Sequence, residues 1–500
     1  MTSSSLKHGE GQDRVGTSLP RFDVCLSVIL VVGIVLRLAW LGTHSLWLDE
    51  GFTLFICHSA DPLEAMRNVS NPPLSHFVFR YWMALVAPTS EVGLRLPAAI
   101  ASCLALLLFA QVARLTMRDR WWQCAAVALY ATSPFLIWYA HEMRMYSMFE
   151  LSSMLALYSV FLYRDGKAMA STLLIFFATL LGFGIHYFSI LTSAGAALCV
   201  LLYHRRGHAT LRQLAWYLIA VVAGFAVWIY WLVAYLPSQL VAPWGGVAHL
   251  SLQSLLETPF RLLMIQLRFQ PELLVLATVG LIALALLLTL YASFRTRRDP
   301  GGPTFGASKD AMLWVLLLAP IVGALVASLI IQPRFMPRYL IACTAPLILL
   351  LVGGVQRVLP RSMAGALFGL VVGLFCASNI LLHRHNLKDG YREACSQLME
   401  AYEPGDLLGV CTMMPEGFSQ APVQWYLSRQ GISEPGIHDI HDFKDFEVLM
   451  SRVPQGRRVH LVVRWMSYSS PLIRNILASG IVEEQGAIQE NVQWIVLSAR

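Results

Sequence analysis

Residues 24–42 read VCLSVILVVGIVLRLAWLG and continue into 43–51, THSLWLDEG. The first stretch falls within the roughly 17 to 25 apolar residues that a bilayer core demands of a spanning helix. Only Arg37 interrupts it, and the carboxylate pair Asp49-Glu50 follows directly behind it. Carboxylates at a bilayer edge are costly when they lose water, so they define a place either of solvation or of chemistry. The polar tail before the run has no small-residue cleavage site, which predicts a retained span rather than a removable signal peptide.

Working outward, ten further apolar runs are expected to span, near 96–115, 121–138, 146–163, 168–186, 189–203, 213–236, 272–293, 311–331, 338–358 and 363–383. The predicted fold class is therefore an α-helical integral membrane protein of about 11 transmembrane helices. Composition agrees: the 500 residues are 56% hydrophobic and 13% charged, with a mean hydropathy of +0.58. Such a chain is neither disordered nor an ordinary soluble protein. Nine cysteines in so long a chain do not make a disulfide scaffold, although Cys395 and Cys411 could pair in an oxidising compartment. The net charge of +7 is not gathered into a stripe, so no nucleic-acid partner is expected.

Basic residues set the expected orientation. With the N-terminus inside, Arg118/Arg120, Arg164/Lys167, Arg205/Arg206/Arg212, Arg295/Arg297/Arg298 and Arg357/Arg361 all fall on the inner side, as the positive-inside rule requires. An odd span count then carries the C-terminal segment outward. This predicts two parts: a membrane domain over 1–383 with a first outer loop at 43–95, and a soluble α/β extracytoplasmic domain over 384–500. Within the latter, DLLGVCT, RRVHLVVRW and VQWIVLSAR read as strands, and PVQWYLSRQ and PLIRNILASG (ending at Gly480) read as helices. Two amphipathic stretches, LSHFVFRYWMALV (74–86) and LSLQSLLETPFRLL after Pro237, Pro243, Gly245 and Gly246, suit helices lying at the interface.

Unusual residues collect in the outer connections: Asp49 and Glu50; Asn71-Pro72-Pro73; Arg80 and Arg95; His141, Glu142 and Arg144; His186 and Tyr187; Arg334, Arg338 and Tyr339. Arginine suits phosphate because its planar fork of donors matches phosphate oxygens. The bland readings are snorkelling arginines, belt tyrosines, structural histidines and solvated loop acids.

The ordered set SLWLDEGFTL, NPPLSHF, RLPA, SPFLIWYAHEMRMYSM, GIHYF and RYLI resembles the lipid-dependent glycosyltransferases of the C superfamily, in the bacterial branch of protein O-mannosyltransferases and aminoarabinose transferases. It covers roughly the first 360 residues, and YREACSQLMEAYEPGDLLGV looks like the start of the outer domain attached to many such proteins. The resemblance implies a sugar donor carried on a polyprenyl phosphate. It further implies transfer, with inversion, to an acceptor hydroxyl at the outer face of the inner (plasma) membrane. The acceptor could be a protein side chain, a lipid such as lipid A, or a glycan. An attacking hydroxyl needs a base, and family position points to Asp49, with Glu50 orienting the acceptor or supporting it. The departing phosphate needs cations: Arg144 and Arg338, with Arg80, Arg95 or Arg334 as further candidates and Tyr187 and Tyr339 as donors. Asn71, His141, Glu142 and His186 are candidate substrate-binding residues.

Two departures stand out: Asn71-Pro72-Pro73 where many relatives show His-Pro-Pro, and a span count below that of better-known relatives. The acids and histidines could hold a divalent metal, but nothing in their spacing selects one, and the resemblance implies no essential metal or other cofactor. A transporter or flippase of a lipid-linked saccharide is the alternative, and a membrane-anchored scaffold or sensor a third. Transporter sites lie near the bilayer midplane, whereas the ionisable residues here gather at one face.

Overall fold

The computed structural model describes residues 24–498 apart from 68–70, 242–250, 266–269, 297–307, 331–334, 385, 413–418, 433–435, 465–469, 479–481 and 490–491. Arg334, Arg297, Arg298, Gly480 and the Pro243–Gly246 stretch therefore lie outside the described residues. Each of the eleven apolar runs is helical. The chain enters through α1 (Val24–Leu38), then forms α2 (Leu48–His58), the single turn α3 (Pro62–Ala65) and α4 (Leu74–Val86) before α5 (Glu91–Thr116). Next come α6 (Arg120–Thr132), α7 (Pro134–Ala140), α8 (Tyr146–Arg164), α9 (Ala168–Ile185), α10 (Ser189–Arg205), α11 (Leu211–Ala226) and α12 (Ile229–Val241). The short α13 (Leu252–Arg261) leads to α14 (Glu272–Thr296), α15 (Lys309–Ile330), a 3-10 turn at Pro337–Cys343, α16 (Thr344–Val358) and α17 (Arg361–Leu382).

The count of about 11 spans is not confirmed. Among the described residues, six helical units are by length and composition long and apolar enough to cross a bilayer: α5, α9, α14, α15, Pro337–Val358 and α17. The pair α11–α12, bent by 52°, makes a seventh if it is one span. Three of the shortfalls have a local cause. At 15 residues and about 1.5 Å per residue, α1 falls short of a core of about 30 Å, and it ends before Trp40, which takes a φ of 60°. The expected 121–138 run breaks at Ser133 because the residue before a proline is driven out of the α region, and Pro134 opens α7. Glu150 and a series of serines lower the hydropathy of α8. Conversely, α5 begins before the expected residue 96, because Ser90 caps it by accepting from Gly93 N. The predicted amphipathic helix at 74–86 is present as α4.

Arg37 is no snorkelling residue. Fully buried, it donates from Nε to Ser102 Oγ (2.9 Å) and from its Nη atoms to the carbonyls of Gly33 (3.0 Å), Ala131 (2.8 Å) and Tyr130 (3.2 Å). Ser102 in turn donates to Glu150 Oε2 (3.0 Å) and Tyr130 donates to Glu150 Oε1. Inside an apolar bundle such a network is tolerable only because its donors find acceptors. It ties α1, α5, α6 and α8 together behind the acidic loop. Elsewhere the bundle turns large apolar side chains outward, among them Leu273, Leu276, Leu287 and Phe294 of α14, as lipid-facing helices do.

Beyond α17 lie α18 (Tyr391–Ala401), β1 (Leu407–Cys411), α19 (Gln420–Ser428), β2 (Ile437–Ile440), α20 (Phe443–Ser451), β3 (Arg458–Arg464), α21 (Pro471–Ala478), β4 (Val482–Gln489) and β5 (Val492–Ser498). The sheet order is β2-β1-β3-β5-β4. β1 pairs in parallel with β2 and β3, while β5 is antiparallel to β3 and β4. The three expected strands are the central ones. β2 and β4 escape an apolar reading because, at the sheet edges, they carry His438, Asp439, Glu483 and Glu484. Cys395 and Cys411 are both buried and both free; the pairing open to them is not formed.

A candidate active site around the first-loop acidic pair

The acidic pair opens α2, and the two carboxylates part company at once. Asp49 faces partly outward, with 19% of its side chain exposed, and Arg338 Nη1 lies 3.4 Å from its Oδ2. Glu50 is fully buried: Arg95 grips it from Nε (2.8 Å) and Nη2 (2.7 Å), and Met143 N donates to it at 2.8 Å. Burial alone would raise the Glu50 carboxyl, but Arg95 first and then Lys388 hold it down to about 2. It is a buried anion inside the loop.

Arg95 is correspondingly spent. Its remaining donors go to the carbonyls of Leu41 (2.6 Å), His44 (2.8 Å) and Ser45 (3.0 Å), which with the two bonds to Glu50 uses all five N–H groups of a guanidinium. This arrangement leaves Arg95 no N–H group for a phosphate, in contrast to the expectation from the sequence. Arg80 also sits elsewhere. It donates to the carbonyls of Cys57 (2.9 Å) and Ser59 (2.7 Å), at the far end of α2 from Asp49. There it lines a cavity of about 440 Å³ with His58, Met83 and Trp425.

Arg144 and Arg338 do converge on Asp49. Arg144, 5% exposed, donates to the Asp49 carbonyl (2.9 Å) and to Thr53 Oγ1 (3.2 Å). Arg338 lies over the rings of Tyr146 (5.8 Å) and Tyr339 (5.5 Å). The Nε groups of both arginines are buried without a hydrogen-bond partner among the described residues. His186 stacks on Phe149 (4.9 Å) and meets Tyr339 (5.2 Å). Burial, then the charges of Arg338 and Arg144, push its imidazole down to about 3. It is neutral at ordinary pH and so does not oppose the two cations.

Other expected residues are placed differently. His141, expected to bind substrate, is occupied on both ring nitrogens, by His383 Nε2 (2.9 Å) and the Arg37 carbonyl (3.2 Å). Glu142 is 1% exposed and lies 3.4 Å from Lys388 Nζ. Burial pushes its carboxyl up and pushes the Lys388 ammonium down. The Tyr187 hydroxyl accepts from Trp231 Nε1 (2.9 Å). Asn71 is buried just ahead of α4. Among the described residues no group of three His, Cys, Asp or Glu side chains comes together as a metal site.

Three residues of the site went unread in the sequence. His76 on α4 is 2% exposed, and burial followed by Arg144 brings it down to about 3. Lys388 and Asp389 reach the site from beyond the last span: Asp389 Oδ2 accepts from Leu48 N at 2.9 Å, across 341 positions. A polar pair in a short connection carries no signal of partners so distant.

Fold and site together define a multi-pass membrane protein whose paired loop carboxylates divide into one buried anion and one open carboxylate facing two arginines. No protein-family model matches the sequence, and no curated protein matches it. Among solved structures, ArnT from Cupriavidus metallidurans bound to undecaprenyl phosphate matches with 14% identity over 94% of this chain and 97% of its own, at a TM-score of 0.54. Its apo state matches with the same identity and coverage at 0.56. The oligosaccharyltransferase of Archaeoglobus fulgidus in its apo form matches at 11% identity and a TM-score of 0.44, over 88% of this chain and 69% of its own. The first two establish the fold. It is the fold of those two ArnT structures.

Proposed function

We propose that the protein is an integral membrane glycosyltransferase. It takes a sugar from a polyprenyl-phosphate donor and passes it, with inversion, to an acceptor hydroxyl at the face of the membrane that bears the 43–95 loop. One observation carries the reading: Asp49 offers the loop's only open carboxylate of the acidic pair directly opposite Arg338, while Arg144 holds the backbone beside it. A carboxylate within reach of an attacking hydroxyl serves as its base. Guanidinium groups across from it stabilise the charge that grows on a departing phosphate. That phosphate is already a weak base and needs no proton donor. The unpartnered Nε groups of Arg144 and Arg338 fit an anionic ligand, and an ArnT structure of the same fold is one bound to undecaprenyl phosphate.

In this reading Glu50 and Arg95 build the loop, Asp49 receives the proton, and Arg338 and Arg144 bind the phosphate, with Tyr339 and His186 beside them. Guanidinium groups meet the charge that a divalent ion would otherwise neutralise. The direct test is to extract the protein with its lipids and identify the co-purifying polyprenyl phosphate sugar by mass spectrometry. Enrichment over a mock extraction supports the reading and identifies the sugar and prenyl length; no enrichment, together with no binding of added undecaprenyl phosphate, sinks it.

A further inference from the structure

The connection between α17 and α18 does more than tether the outer unit. Asn386 Oδ1 accepts from Ser45 N (3.2 Å), Leu387 N donates to His44 Nδ1 (3.2 Å), and Arg392 donates to the carbonyls of Gly42 (2.9 Å) and Thr43 (2.8 Å). At its centre two adjacent residues are buried, Lys388 at 6% and Asp389 at 4% exposure. A linker has no reason to bury an ammonium and a carboxylate, because each loses hydration that only specific partners restore.

Their partners are the two elements from which the candidate site is built. At the start of α2 the Trp47 side chain makes no cap and Glu50 Oε2 takes only Trp47 N (3.3 Å), and helix N-termini leave further orphan N–H groups that need an acceptor. Asp389 supplies it, taking Leu48 N at 2.9 Å. Lys388 goes to the other element: its Nζ donates to the His141 carbonyl (3.1 Å), lies 3.4 Å from Glu142 Oε1, and sits over the rings of Trp47 (5.7 Å) and Trp138 (5.3 Å). The 141–145 connection that it holds carries Arg144. One residue thus secures the helix of Asp49 and its neighbour secures the loop of Arg144.

The geometry points to residues 386–392 acting as a clamp that registers Asp49 against the arginine loop, with Lys388 and Asp389 as positioning residues for the transfer reaction. This inference rests on the functional reading above, and it makes the outer α/β unit part of the site's assembly: the Tyr426 hydroxyl on α19 extends the same contact by accepting from Leu46 N (2.8 Å) and donating to Glu91 Oε1 (2.9 Å).

The test uses the full-length protein in detergent, with hydrogen–deuterium exchange read peptide by peptide and undecaprenyl phosphate titrated against tryptophan fluorescence. Asp389→Ala is expected to raise exchange in 48–52 about tenfold and leave 141–145 near wild type, and Lys388→Met to do the reverse, because local opening follows the contacts each element loses. Lys388→Arg restores 141–145. Each of the two disruptive variants weakens undecaprenyl phosphate binding while peptides of α14 and α17 exchange as in wild type. Should Lys388→Met fail to fold, Lys388→Met/Glu142→Gln removes both charges and is judged by the same criteria. Unchanged exchange in both elements, or a rise spread evenly over the chain, reduces the segment to a tether. If the wild type itself does not bind undecaprenyl phosphate, the functional reading falls, and the element-by-element exchange pattern still decides the clamp.

Discussion

Asp49 and Glu50 are neighbours in sequence with opposite fates, and α-helical geometry is the reason. Successive residues on a helix point about 100° apart, so when Glu50 turns inward to Arg95, Asp49 is turned toward Arg338. Asp49→Asn keeps volume and hydrogen bonding but cannot accept a proton. It is expected to cut sugar transfer by about 10²- to 10⁴-fold while donor binding persists; wild-type turnover by that variant removes Asp49 from the chemistry. Arg338→Ala takes away a cation whose Nε has no protein partner among the described residues. Its expected signature is a loss of about tenfold or more in affinity for undecaprenyl phosphate, on the scale of a charge-assisted hydrogen bond, with acceptor affinity little altered. Equal losses for both ligands would reassign Arg338 to packing.

At the scale of elements, the Glu50–Arg95 pair joins α2 to α5 and, through Met143 N, to the 141–145 connection. Breaking one partner of a buried pair costs about 3–5 kcal/mol, so Glu50→Gln is expected to lower the thermal midpoint of the protein in detergent. The pH dependence follows from the same pair. Glu50 is held at about 2 in the folded protein, below its unfolded value of about 4.3. Its contribution is therefore complete above that unfolded value and is lost as pH falls toward 2. A midpoint that declines below about pH 4 in wild type and declines less in Glu50→Gln supports the assignment; parallel curves oppose it. This element scale is also where periodicity served best and failed most clearly. LSHFVFRYWMALV announced α4 to the residue because an amphipathic face repeats locally, whereas the kink at Ser133 and the bend between α11 and α12 interrupt runs whose apolar content continues unbroken.

Over the whole molecule, the helical bundle meets the C-terminal α/β unit at the first loop, through residues 386–392 and Tyr426 of α19. Free Cys395 on α18 and Cys411 on β1 predict that denatured, unreduced protein alkylates at every one of its nine cysteines; a shortfall of two would show a disulfide. What the sequence determined by itself was the membrane class, the helical runs, the α/β character of the C-terminal segment and the short roll of charged loop residues, because hydrophobic content and periodicity are properties of neighbouring positions. Tertiary structure alone decided which of those residues belong together. It withdrew Arg95 into Glu50, Arg80 to the far end of α2 and His141 into a pair with His383, and it brought Lys388 and Asp389 to a loop hundreds of positions away. A charge buried by folding is assigned by whichever partner the packed chain places within about 3 Å, and no local pattern encodes a partner chosen by long-range packing.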